Sequence, residues 1–102
     1  MSEKLAILVA SDNAMTHVLG ISKAATVAKK RVDVFFTGKG VRLTQDPRFS
    51  NLLEIANVSV CETSYFANGY QGKPIPGLTD KDFVTQGRNA EMVEESDRYI
   101  VL

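Results

Sequence analysis

"KLAILVAS", residues 4–11, is a near-continuous apolar run that stops at the polar "SDN" of residues 11–13. A strand with one wet face alternates apolar and polar side chains. A short run without that alternation suits a strand covered on both faces, as in a parallel sheet. Working outward, apolar residues between Ala14 and Arg31 fall at Met15, Val18, Leu19, Ile21, Ala25 and Ala28. That spacing is close to helical, and alanines favour a helix. Ser11, Asp12 or Asn13 is placed to cap its start. "AKKR" (28–31) falls at its end, where cations complement the helix dipole.

"VDVFFTG" (32–38) reads as a second buried strand, closed by "GKG". "DPRFSNLLEIAN" (46–57) reads as a short helix with Asp46 at the N-cap and Pro47 in the first turn. Its apolar stripe is Phe49, Leu52, Leu53 and Ala56, widened by Ile55. "VSVCET" (58–63) is a third strand, and the Gly- and Pro-rich "NGYQGKPIPG" (68–77) is a loop. Residues 78–97 leave two readings open. Thr79 can cap a short helix, or "DFVTQ" is a brief strand with Asn89 capping a helix through Ser96. "RYIVL" (98–102) is a last strand.

Strands and helices that alternate in this way predict an α/β, three-layer architecture. It would be a mostly parallel sheet of four or five strands, with helices on both faces. Ligands bind such sheets outside the carboxyl ends of the strands, where the strand order reverses. Three loops are expected there: "SDNA", "TGKG" and "CETS". The candidate site is therefore Ser11, Asp12, Asn13, Lys39, Cys61 and Ser64.

The length of 102 residues suits one domain spanning 1–102. With 12 basic and 12 acidic residues the formal net charge is zero, which gives no case for nucleic acid or an anionic membrane as partner. The single cysteine excludes an internal disulfide and points to a reducing, cytoplasmic home. "LAILVA" is too short for a signal peptide or a bilayer span.

Most chemical motifs fail on inspection. "TGKGV" lacks the spacing of a phosphate-binding loop, and "SDNAM" lacks the glycines of a dinucleotide fingerprint. Gly38 and Gly40 are read instead as turn formers. A phosphatase loop would place arginine where Ala67 stands. A dithiol motif would place cysteine where Ser64 stands. A phosphoacceptor domain would carry a carboxylate where Cys61 stands. His17 and Cys61 are too few and too far apart to close a zinc site.

Cys61 carries the remaining chemistry. A free cysteine at the end of a strand is by default a packed, structural residue. Before a helix N-terminus, however, unpaired N–H groups and the helix dipole favour the thiolate, which is the nucleophile. Ser64 can cap that helix or donate to the sulfur. Tyr65, Phe66 and Tyr70 are expected either to shield the thiol or simply to pack.

The order of "LAILVAS", a helix with "AATVAKK", "VDVFFTGKGV", "VSVCETS" and "AEMVEESDRYIVL" resembles the DsrE/DsrF-like family of small sulfur-relay proteins. The resemblance covers nearly the whole chain. It implies a flavodoxin-like sheet, a homo-trimer or hexamer, and a persulfide carried on Cys61 between donor and acceptor proteins. It implies no metal, flavin or nucleotide cofactor. The competing expectation is a non-catalytic oligomeric module that binds a ligand or protein and merely packs Cys61. A flavin- or nucleotide-binding domain is a third.

Overall fold

The computed structural model describes residues 3–102. Its elements are β1 (Lys4–Val9), α1 (Met15–Val27), β2 (Arg31–Phe36), a 3-10 segment (Gly38–Gln45) and α2 (Phe49–Leu53). These are followed by β3 (Asn57–Cys61), α3 (Glu62–Ala67), a 3-10 turn (Asp80–Asp82), β4 (Phe83–Val84), α4 (Gly87–Glu95) and β5 (Arg98–Val101). All five strands are parallel, in the order β4-β3-β2-β1-β5. The layering is the three-layer, flavodoxin-like α/β arrangement that the sequence predicts. Of the two readings for residues 78–97, the structure takes the strand and then helix, and it also keeps the cap. Thr79 and Asp82 form a reciprocal capping box around the 3-10 turn.

Period-two alternation sorts the sheet into two faces. Leu5, Ile7, Val9, Val32, Val34, Phe36, Val58 and Val60 join Met15, Val18 and Leu19 of α1, Phe49 and Leu52 of α2, and Tyr65 of α3 in one buried cluster. Ala6, Phe35 and Cys61 face the other way and meet Met92 of α4. This division follows from the topology. The chain steps β1, β2, β3, β4 in one direction, so three crossovers of one hand put α1, α2 and α3 on one face. The return from β4 to β5 at the far edge puts α4 on the other.

The α4 face also carries charge. Asp33 is buried in the middle of β2 and meets Lys4 Nζ at 3.0 Å, Asn57 Nδ2 at 3.1 Å and Arg88 of α4 at 3.5 Å. Glu95, at the far end of α4, takes the other side of Lys4 at 3.2 Å. These pairs tie α4 to the N-terminal ends of the strands.

Local expectations differ from the structure at three places. No side chain caps α1; its N-cap is Ala14, and Asp12 reaches Arg42 instead, at 3.0 Å. "AKKR" is not a last helical turn: α1 stops at Val27, Lys29 takes a left-handed φ of 62°, and Arg31 starts β2. The second helix is only five residues long. Its N-cap is Arg48, with no side-chain cap bond, so Asp46 and Pro47 fall in the turn before it, where the Asp46 carboxylate accepts from the Arg48 backbone N–H at 2.8 Å. Among the described residues no helix is long and apolar enough to cross a membrane.

Candidate functional site

The register places Val9, Phe36, Val60 and Phe83 in one row across the sheet. The loops after β1, β2, β3 and β4 therefore emerge at one edge. Cys61 is both the last residue of β3 and the N-cap of α3. The chain after β3 turns to the α3 face, whereas the chain after β4 turns to the α4 face. In open α/β sheets, ligands bind outside two neighbouring strands whose connections diverge in this way. Cys61 stands at that divergence, with its side chain on the α4 side.

Three polar side chains from three segments of the chain gather at the sulfur. Gln86, the residue before α4, donates through Nε2 to Thr37 Oγ1 at 2.8 Å and to Cys61 Sγ at 3.4 Å. Thr37 Oγ1 lies 3.4 Å from Ser64 Oγ. Ser64 Oγ accepts from the Gly38 backbone N–H at 2.9 Å, which leaves its own proton free to donate. Burial pushes the Cys61 thiol up. The Ser64 hydroxyl and backbone N–H, then Gln86 and Thr37, outweigh burial and hold the thiol below its ordinary value. All of these donors are neutral. Glu62 lines a separate groove with Tyr65, Phe66 and Phe83, and Arg88 is taken up by Asp33, Glu91 and Glu95.

A second ring of contacts fixes the loops that carry these donors. Asn68, just past α3, donates to the carbonyls of Gly38 and Ser64 and accepts from Arg42 Nε at 2.9 Å. Arg42 also holds Asp12, so the loop after β1 is tied to the loop after β2 and to the end of α3. Two glycines permit this closeness. Gly38 has a left-handed φ of 54°, and a Cβ on Gly40 would collide with the Val9 carbonyl.

The six residues singled out in the sequence all lie at this sheet edge, but they have different parts. Ser64 holds the sulfur. Asp12 is connected to it only through Arg42 and Asn68. Ser11 is half-buried, Asn13 and Lys39 are exposed, and none of the three is among the groups that hold Cys61. The aromatic residues do not shield the thiol. Tyr65 is buried on the other face against Tyr70 and Phe83, each at 5.1 Å between ring centroids, and Phe66 is exposed. Their direction follows from α3, whose one buried stripe faces the larger core. Thr37, Gln86, Asn68 and Arg42 were missed. Thr37 lies within the quoted "TGKG" loop, and Gln86 sits in the stretch whose reading was open. The other two carry no local signal.

His17 is exposed on α1, far along the chain from the thiol. Among the described residues no three His, Cys, Asp or Glu side chains converge as metal ligands would. No protein-family model matches this chain, and no curated protein matches it.

Proposed function

We propose that the protein carries sulfane sulfur on Cys61 as a persulfide, in the manner of the DsrE/DsrF-like proteins it resembles. One observation carries the reading. The only thiol in the chain is met by donors from three separate segments, the loop after β2, α3 and the residue before α4, where a purely packed thiol needs none. The chemistry balances without a cofactor. Cys61 thiolate attacks the outer sulfur of a donor persulfide; a new Sγ–S bond forms, the donor's S–S bond breaks, and the donor leaves as its thiolate. An acceptor thiolate then attacks that outer sulfur, and Cys61 leaves as thiolate. The partners are thus a sulfur-donor and a sulfur-acceptor protein, in a reducing cytoplasmic setting. The resemblance also implies a homo-trimer or hexamer, and the exposed Val93, Tyr99 and Val101 on the α4 side offer apolar surface for it.

A specific observation favours a second reading. Cys61 is only 3% exposed, among Ala6, Phe35 and Met92, which suits a structural cysteine in an oligomeric binding module. Intact mass after incubation with a persulfide donor decides between them. The carrier gains one sulfur that Cys61→Ser cannot take up. A thiol that resists both the donor and small alkylating reagents until the protein unfolds is a core residue, and the binding module then replaces the carrier.

A further inference from the structure

We propose that Gln86 is a latch on the sulfur: its amide stabilises the thiolate and also covers it, and it must swing away before any electrophile reaches Cys61. The role deepens the carrier reading above and rests on the same thiol. Gln86 is exposed, yet its Nε2 spends one proton on Thr37 Oγ1 at 2.8 Å and the other on Cys61 Sγ at 3.4 Å. A residue before a helix commonly turns its side chain back to cap that helix. Gln86 makes no such bond to α4. Its amide instead reaches along the sheet edge, from the loop after β4 to the ends of β2 and β3.

This placement reconciles two properties that otherwise conflict. Cys61 is 3% exposed, and yet its sulfur is met by donors suited to an anion. The packed side of the thiol is closed by Ala6, Phe35 and Met92, whose backbones are fixed in strands and a helix. The exposed side chain in contact with the sulfur is that of Gln86. Rotating it costs two hydrogen bonds that water can replace, without moving the sheet or α4. The charged neighbours do not interfere. Glu62 lines a separate groove with Tyr65, Phe66 and Phe83, and Arg88 is engaged with Asp33 and the acidic residues of α4. Lys39 is exposed and is not among the groups holding the sulfur.

The latch predicts two changes that separate on a pH profile. The probe is iodoacetamide, small and neutral, and the rate of Cys61 alkylation is followed on the folded protein with Cys61→Ser as blank. Gln86→Ala removes a donor, so the midpoint of the profile rises, by roughly half to one pH unit. It also removes the cover, so the plateau rate at high pH rises several-fold. Gln86→Glu keeps the shape but turns a donor into an acceptor. Its midpoint rises at least as far, while its plateau stays near that of the native protein. If Gln86→Ala does not fold, Gln86→Asn serves in its place, because the shorter amide cannot span both partners. A Gln86→Ala profile (or Gln86→Asn, where that serves) that leaves either the midpoint or the plateau unmoved overturns the latch, as does a Gln86→Glu midpoint that stays at the native value. Sulfur loading, read by intact mass with glutathione persulfide, is scored separately. Loading of the native protein with an unmoved profile in Gln86→Ala removes the latch and leaves the carrier. A moved profile with no loading leaves the latch and removes the carrier.

Discussion

The two faces of the sheet are built from the same strands by the same alternation, yet they are unlike. Under α1, α2 and α3 the inward positions are aliphatic or aromatic, and Phe36 meets Phe49 edge-on at 5.5 Å. Under α4 the fully buried apolar set is Ala6, Phe35, Cys61 and Met92, and a buried carboxylate stands in the middle of β2. Three helices close the first face and a single nine-residue helix crosses the second. The first face holds the fold together. The second, thinner face keeps polar groups near the sheet and leaves a margin where side chains can move. The thiol lies on the second.

The contrast can be broken most sharply from the thick side. Phe36→Ala should cost about 3–5 kcal/mol, read as a lower denaturant midpoint with unchanged slope. A loss under about 1 kcal/mol would mean the two faces contribute alike. Asp33→Ala comes next, at roughly 2–3 kcal/mol, because Lys4, Asn57 and Arg88 lose a shared acceptor. It carries a signature in pH. The hydrogen bond that the Lys4 ammonium donates to Asp33 holds it above the ordinary lysine value. That contribution is complete below the ordinary value and disappears as pH climbs through the raised one. Alkaline titration of stability should therefore flatten in Asp33→Ala, and an unchanged curve would remove the Lys4–Asp33 pair from the account.

Met92→Ala, on the thin face, should cost about 2 kcal/mol, near the low end for such truncations. It should also speed alkylation of Cys61, since Met92 closes the packed side of the sulfur. A stability loss matching that of Phe36→Ala would erase the distinction drawn above. Val101→Ser, at 58% exposure beside Tyr99, should change the stability of the single chain by less than about 0.5 kcal/mol. If copies assemble through this surface, light scattering will report a smaller particle for the variant. An unaltered particle moves the interface elsewhere.

The fold was legible because burial on two sides leaves a simple mark. "LAILVA" is apolar throughout, "VDVFF" and "VSVC" are each broken by one polar residue, and helical spacing separates them. Even the short β4 was visible in "DFVTQ". The α1 cap was not, because Asp12 had two possible uses and its partner Arg42 lies thirty positions away. The site was half legible. Chain order puts Cys61 and Ser64 one turn apart at a strand end, which a local reading finds. Thr37 and Gln86 join them only because β2 and β4 flank β3 in the sheet, and that adjacency is written in the crossovers. Asp33 stood in plain view inside "VDVFF", but a carboxylate in an apolar run discloses neither its burial nor its three partners. The aromatic residues misled for a related reason: which face of α3 is covered depends on the sheet beneath it.

The brevity of β4 has its own consequence. This edge strand has two residues, paired on one side only, and it follows the long loop that begins at Asn68. Such segments open at a small fraction of the global unfolding free energy. Amide hydrogens near Phe83–Gln86 should exchange with solvent long before those of β1 and β2, which are flanked by strands on both sides. The arm that reaches the sulfur is therefore mounted on the part of the sheet that breathes first. A partner that captured this edge by adding a strand to it would either freeze the arm in place or carry it off, and so set the timing of the chemistry from outside the site.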